Sequence, residues 1–303
     1  MFNKLIASIL PYMPKKLVWV FSKRYVAGEA IEDGLRVSKD MNNGGILVTI
    51  DLLGEFITDI KEAEVNKDKY VKIIERFTDE GIRGSFSVKP TMFGLLIDAE
   101  KCYLNIREVV KRAAEKNSFV RIDMEDSQCV DMEIELYKRL KAEFPNHVGL
   151  VIQAYMRRSP DDLEKLLTVH TPESPLDFRL CKGIYIEPKE IAWKGYDEVR
   201  RQYLLLLEFM LQHKINVGIA THDKYLVDES YKLIERYNPD PKSVEFQMLY
   251  GVTPELRSSI VAKGHRMRVY VPFGKDWFGY CTRRLKENPR MASLIIKALF
   301  IRG

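Results

Sequence analysis

The chain has 303 residues, of which 46% are apolar and 30% charged, so it is long enough to bury a large core. Its 48 basic and 43 acidic residues give a formal net charge of +5, which is too small to predict a nucleic-acid-binding protein. The four cysteines, Cys102, Cys129, Cys181 and Cys281, lie far apart and form no CxxC pair. This spacing excludes a disulfide scaffold and favours a reducing compartment such as the cytoplasm.

Residues 1–40 are predicted to form a helical arm. In its first thirty residues a single acid, Glu29, is outnumbered by basic residues interleaved with the apolar run 17–21, namely Lys4, Lys15, Lys16, Lys23 and Arg24. This basic, amphipathic pattern is typical of a helix packed on a domain, or of an element that contacts a membrane surface. No apolar run reaches the ~20 residues that span a membrane. The run 5–10 is also too short for the core of a secretory signal.

From residue 46 onward, short branched apolar runs alternate with stretches of helical periodicity. The predicted strands are 46–51, 84–89, 118–123, 148–154, 178–184, 215–221, 244–250 and 266–272. The predicted helices between them include 69–81, 106–117, 134–144 and 197–213, and two more begin near Pro160 and Pro254. Eight strand–helix units in about 250 residues favour an α/β fold of the (β/α)8 TIM-like barrel type.

A doubly wound open sheet is the structural alternative. Such a sheet normally carries a glycine-rich turn after its first strand, whereas the turn at 51–55 has no GxGxxG motif. No GxxxxGK[ST] motif occurs either. We therefore predict a single domain over 1–303, with the arm at 1–40, the barrel at 41–290 and a C-terminal amphipathic helix at 291–303.

Polar side chains gather at the predicted carboxyl ends of the strands, where barrel enzymes carry their chemistry. They are Asp51, Glu55, Lys89, Asp123, Gln153, Tyr155, Arg179, Lys182, Tyr185, Thr221, His222, Gln247, Tyr250 and Tyr270. Each also has a structural interpretation: Asp123 as a helix cap, for example, or Arg179 as an ion-pair partner of Asp177 or Asp123. The histidines show no HxH or HExxH spacing, so no metal site is predicted.

Two adjacent arginines, Arg283 and Arg284, follow the last predicted strand. Arg283 and Glu287 are four residues apart, which is typical of a surface ion pair worth about 0.3–0.5 kcal/mol. Two guanidinium groups near Tyr270 can instead clamp a small carboxylate in bidentate geometry. The residues alone leave both interpretations open.

Taken together, these segments resemble the proline dehydrogenase family, flavoenzymes built on a distorted (β/α)8 barrel. The resemblance covers about residues 40–290 and rests on the segments 51–55 (DLLGE), 87–89 (SVK), 121–123 (RID), 179–185 (RLCKGIY), 220–222 (ATH), 245–251 (EFQMLYG) and 270–274 (YVPFG), followed by Tyr280, Arg283, Arg284 and Glu287. The chain length is similar to that of the single-function bacterial form rather than the fusion with an aldehyde dehydrogenase.

The resemblance implies oxidation of L-proline to Δ1-pyrroline-5-carboxylate with reduction of FAD. The implied carboxylate ligands are Arg283, Arg284 and Lys89, and the implied walls around the proline ring are Tyr270, Tyr185 and Leu249. Because Tyr270 leaves little room for a ring hydroxyl, the resemblance implies a preference for proline over hydroxyproline. Asp123 and Arg179 are the implied catalytic residues, and Glu55 with Arg283 is the implied gate.

For the cofactor, the resemblance implies Asp123, Met124, Gln153 and Arg179 around the isoalloxazine, Lys182, Gly183 and Ile184 at the phosphate and ribose, and Thr221 and His222 beyond them. Ile184 departs from the family, which usually has a smaller residue there, often alanine. The family passes its electrons to a membrane quinone. This gives the basic arm and the helix 291–303 an implied role in peripheral membrane contact.

Two other functions remain open for a barrel with these residues. One is a Schiff-base aldolase with Lys89 or Lys182 as the nucleophile, which predicts a colourless protein trapped by borohydride plus substrate. The other is a non-catalytic barrel that binds amino acids as a sensor, which predicts tight binding of proline without turnover.

Overall fold

The computed structural model describes residues 18–19 and 23–281. Eight parallel strands close into a barrel in chain order, with the last strand paired to the first. They are β1 (Leu47–Leu52), β2 (Gly84–Val88), β3 (Val120–Ile122), β4 (Val148–Gln153), β5 (Asp177–Cys181), β6 (Asn216–Ala220), β7 (Val244–Leu249) and β8 (Met267–Phe273). The predicted (β/α)8 barrel is therefore confirmed, and all the predicted strands are present.

Helices cover the outside of the barrel. They are α1 (Ile31–Asn43), α2 (Lys61–Asp79), α3 (Ala99–Glu115), α4 (Val130–Glu143), α5 (Ser159–Leu166), α6 (Tyr196–Gln212), α7 (Lys224–Tyr237) and α8 (Pro254–Ala262). Helix α1 precedes β1, and α2 to α8 follow β1 to β7 in turn. A short 3-10 helix, Pro90–Phe93, directly follows β2 at the barrel rim.

The interior of the barrel is polar, whereas the apolar side chains of the strands pack outward under the helices. Hydrogen bonds between strands that are not neighbours have to cross this interior. Arg121 of β3 bonds to the carbonyl of Asp177 on β5, and Arg179 of β5 donates to Gln247 of β7 at 2.8 Å. Most barrels of this type fill the interior with branched apolar residues. Here the polar filling provides charged side chains at both ends of the barrel.

Gly149 makes room for this polar filling, because a Cβ there would lie 2.3 Å from Arg121 Nη1 and 2.6 Å from the carbonyl oxygen of Asp177. The carbonyl belongs to the backbone of β5 and has little freedom to move. We expect Gly149→Ala to lower the free energy of unfolding by about 1–3 kcal/mol, measured by urea denaturation. Gly44→Ala, whose Cβ would meet its nearest neighbour at 3.4 Å, is the control and should change stability far less. Equal effects of the two substitutions would contradict the prediction.

The end of the arm packs beside the last described residues of the chain. Tyr25 and Val26 are buried in a cluster with Trp277 and Cys281, and the rings of Trp19 and Trp277 are 4.6 Å apart. Several predictions lie outside the described residues, namely those for 1–17 and 20–22 of the arm and for Arg283, Arg284, Glu287 and the helix 291–303. Among the helices that the structure describes, none is both long and apolar enough to span a membrane.

Candidate active site

A cavity of about 840 Å³ opens at the carboxyl ends of the strands, within the size range of small-molecule sites. Its lining includes Glu55, Lys89, Asp123, Met124, Gln153, Arg179, Lys182, Gly183, Ile184, Tyr185, Thr221, His222, Leu249 and Tyr270. The structure thus brings together every described residue to which the family resemblance gives a role, whereas Asp51, Tyr155 and Tyr250 of the predicted strand ends are not part of the lining. Arg283 and Arg284 lie outside the described residues.

Three charged lining residues, Lys89, Asp123 and Arg179, form the floor of this cavity together with the fully buried Asp51 beside Lys89. Lys89 Nζ lies 2.9 Å from Asp51 Oδ1 and 3.6 Å from Asp123 Oδ2. Arg179 Nη1 lies 2.7 Å from Asp123 Oδ1, and the Tyr270 hydroxyl donates to Asp123 Oδ2 at 2.9 Å. The two cations and two carboxylates balance one another formally, which is how charges are accommodated away from water.

The ion pairs decide the protonation states of Asp123 and Lys89. Burial alone would raise the pKa of Asp123, but Arg179 and Lys89 outweigh it and hold this pKa below its usual value. Burial likewise lowers the pKa of Lys89, yet Asp51 and its other neighbours outweigh that effect and raise it well above normal. Lys89 is therefore a fixed cation that can bind an anion. A Schiff-base nucleophile has to be uncharged, so this environment disfavours the aldolase interpretation of Lys89.

Arg179 is held from two sides and is 8% exposed. Its Nε donates to Gln247 Oε1 at 2.8 Å while Nη1 donates to Asp123. Of the two ion-pair partners considered for Arg179, the structure selects Asp123, whereas Asp177 pairs with Arg121. Since the Asp123 carboxylate accepts from Arg179, Ser87 and Tyr270, it acts within the cavity floor rather than as a helix cap.

The opposite end of the cavity lies at the start of α7. Asp223 caps this helix by accepting from the backbone N–H of Tyr225, and it also accepts from Lys182 Nζ at 3.2 Å and from two nitrogens of Arg200. Burial would raise the pKa of Asp223, but the hydrogen bonds from Arg200 and its other partners lower it strongly. Arg200 also lies 3.6 Å from the exposed Asp197, so Lys182 is the cation with no second carboxylate partner among these contacts. Lys182 and the helix N-terminus beside it suit an anionic group.

His222 and Gly183 shape the wall between these two ends. The backbone N–H of Leu249 donates to His222 Nε2 at 2.9 Å, so the proton of a neutral ring lies on Nδ1. Gly183 has φ +103°, and a Cβ there would lie 2.1 Å from the ring of Tyr155. Only glycine fits this turn, which directs the backbone of 182–184 along the cavity. Ile184 follows it with 43% of its surface exposed.

Sequence reasoning assigned no role to several residues that shape this site. Asp51 and Gln247 were recognised only as polar strand ends, although their contacts fix Lys89 and Arg179. Ser87, which donates to Asp123 Oδ1 at 2.6 Å, lies two residues before Lys89, so strand alternation would have placed both on one face. No sequence signal marks the pair Thr91 and Glu125, which is joined only in the folded chain.

Glu125 is fully buried, and its burial raises its pKa from the ordinary 4.5 to about 7, against the opposing effect of hydrogen bonds from Thr91. Between about pH 4.5 and pH 7 the folded protein retains a proton that the unfolded chain releases. The free energy of unfolding should therefore fall as the pH rises through this range. We expect Glu125→Gln to remove this part of the pH dependence, amounting to about 3 kcal/mol. Urea denaturation at pH 5 and 8 measures it, with the exposed Glu173→Gln as control. A variant that keeps the wild-type slope would contradict the assignment.

Comparisons with known proteins identify the family of the chain. The proline dehydrogenase family profile matches residues 35–296. The proline dehydrogenase of Deinococcus radiodurans is 32% identical over 95% of this chain and 92% of its own length. Proline dehydrogenase 1 of Bacillus subtilis is also 32% identical, over 92% of this chain and 90% of its own.

The fold agrees with a solved structure as well. The chain is similar to proline utilization A of Bdellovibrio bacteriovorus with a TM-score of 0.86 and 26% identity, over 95% of this chain and 36% of that one. Family profile, relatives and barrel together place the cavity in a flavoprotein of proline catabolism. The chain belongs to the proline dehydrogenase family and is an oxidoreductase that acts on the CH–NH group of proline.

Proposed function

We propose that this enzyme oxidises L-proline to Δ1-pyrroline-5-carboxylate with FAD bound in the cavity, and that Lys89, Asp123 and Arg179 organise the reaction. The observation that carries the proposal is the charge-balanced floor, where both cations are held over buried carboxylates at the mouths of β2 and β5. Bound FAD would supply the hydride acceptor. The protein supplies binding, orientation and charge.

The two ends of the cavity fit the two parts of a dinucleotide. Arg179, Met124 and Gln153 line the end near Lys89 and Asp123 and would surround the isoalloxazine ring system of the flavin. Lys182, Thr221 and His222 line the other end, where the Lys182 ammonium and the start of α7 suit phosphate groups. The glycine turn at Gly183 joins these ends without a side chain that would obstruct the backbone. These features support FAD as the flavin.

The substrate would lie above Lys89. Its carboxylate would be bound by Lys89 together with Arg283 and Arg284, while Tyr185, Leu249 and Tyr270 enclose the ring. The Tyr270 hydroxyl cannot turn aside, because it donates to Asp123 and accepts from Lys89 at 3.3 Å. A hydroxylated ring would therefore collide with it, and we expect kcat/KM to be higher for proline than for hydroxyproline.

Spectroscopy tests this function and separates it from the two alternatives. The purified protein should be yellow, anaerobic L-proline should bleach it, and acid should release FAD rather than FMN. A colourless protein that binds no added FAD would overturn the proposal. Tight proline binding without bleaching would support the sensor, and a borohydride-trapped lysine adduct would support the aldolase.

We also propose that the enzyme works in the cytoplasm, at the membrane face, and passes its electrons to a quinone. The four cysteines are free, which agrees with a reducing compartment. The basic arm and the C-terminal amphipathic segment are the proposed contact elements. In a co-sedimentation assay at low salt the protein should pellet with anionic liposomes, and reduced enzyme should be reoxidised by a soluble quinone. Protein that stays in the supernatant would overturn the membrane contact.

A further inference from the structure

The loop between β1 and α2 brings Glu55 to the cavity wall. The residues around Glu55 form neither helix nor strand. The next residue, Phe56, has φ +53°, which is the left-handed region that side chains other than glycine rarely occupy. Such a conformation persists only where the surrounding structure fixes it. The position of Glu55 therefore depends on what holds Phe56.

Thr91 holds Phe56 and the next residue, Ile57, with one hydrogen bond each. The backbone N–H of Phe56 donates to Thr91 Oγ1 at 3.0 Å, and the N–H of Ile57 donates to the Thr91 carbonyl at 3.3 Å. Thr91 belongs to the 3-10 helix after β2 and is 2% exposed. Its hydroxyl has a single proton, which leaves its oxygen free to accept from Phe56 while the proton is donated elsewhere.

The Thr91 hydroxyl donates its hydrogen bond to Glu125. Thr91 Oγ1 donates to Glu125 Oε1 at 2.5 Å, and the Thr91 backbone N–H donates to Oε2 at 2.8 Å. Glu125 is itself fixed, because its backbone N–H donates to Glu133 and its carbonyl accepts from Gln153 Nε2 at 2.7 Å. A series of hydrogen bonds, buried except for the part-buried one to Phe56, thus joins Gln153 in the cavity lining to the loop that carries Glu55.

We propose that Thr91 is a positioning residue which, anchored by Glu125, fixes Glu55 in the cavity wall and so sets the affinity for proline. This proposal rests on the proposed function of the cavity. Burial is the main cause that raises the pKa of Glu125 and of Tyr185, and Glu55 adds to both effects, so its charge reaches Tyr185 in the cavity lining. Displacing the loop would therefore change both the shape and the charge of the cavity wall.

Thr91→Val removes the hydroxyl but keeps the shape of the side chain, and Thr91→Ser is the matched control that retains the hydroxyl. We expect Thr91→Val to raise KM for proline about tenfold, with kcat within about twofold of wild type. Thr91→Ser should restore KM. In a Glu55→Gln background, Thr91→Val should raise KM for proline little further, because the residue that Thr91 positions has already lost its charge. Additive effects on KM, or an unchanged KM in Thr91→Val, would overturn the proposal.

Hydrogen exchange of the wild-type enzyme tests the same point without a variant, so it remains informative if Thr91→Val does not fold. The amides of Phe56 and Ile57 should exchange slowly, and their exchange in Thr91→Val should accelerate more than that of the barrel strands. Rapid exchange of both amides in the wild type would overturn the proposal. Bleaching by proline reports separately on the proposed function, because amide protection does not require turnover.

Discussion

Replacing Arg179 by methionine is expected to lower kcat for proline oxidation about 100-fold while the barrel remains folded. The guanidinium is fixed by Asp123 and Gln247 and lines the cavity, so it meets developing negative charge without having to reorganise. Asp123 keeps Lys89, Ser87 and Tyr270 as partners after the substitution, which limits the loss of stability. The effect should therefore fall on catalysis more than on folding.

Anaerobic stopped-flow bleaching by proline measures this effect directly. Arg121→Met is the matched control, since Arg121 is equally buried and is paired with Asp177, but is not among the residues that line the candidate active site. That variant should lose stability and retain its rate per folded, flavin-loaded molecule. A rate for Arg179→Met within about threefold of wild type would remove Arg179 from the catalytic residues.

Most of the fold could be predicted from the sequence, because each strand contains a short apolar run and the helices show apolar residues at helical spacing. The strand ends were less predictable, and β5 shows why. The apolar run suggested a strand to 184, but β5 ends at Cys181 because Gly183 turns with a positive φ against the ring of Tyr155. This turn depends on a contact with a residue far away in sequence, which no local pattern reveals.

The site was predictable to the extent that it lies at strand ends. Parallel strands bring their carboxyl ends to one rim, so Lys89, Asp123 and Arg179 were expected to meet. Their partners were harder to foresee. Asp51 is fully buried beside Lys89, and Glu125 is buried beside Thr91. Acidic residues are rarely buried without a partner, and no sequence pattern predicts either of these two pairs. Only the folded barrel shows that these carboxylates hold the cavity in shape.

The substitution Lys89→Met should affect both binding and stability. Without the cation, we expect KM for proline to rise about 100-fold, because a buried charge-assisted contact to the carboxylate is lost. The free energy of unfolding should fall by about 3 kcal/mol, because Asp51 loses its ion-pair partner while fully buried. Steady-state kinetics and urea denaturation measure the two effects independently.

A second substitution separates the two roles of Lys89. Asp51→Asn removes the carboxylate that Lys89 neutralises, so the double variant Lys89→Met with Asp51→Asn contains no unpaired buried charge at this position. We expect it to regain most of the lost stability while KM stays high, because the substrate carboxylate still lacks its cation. If KM also returned to the wild-type value, Lys89 would serve only to neutralise Asp51. The carboxylate would then have to be bound by other cations, of which Arg283 and Arg284 are the candidates in this chain.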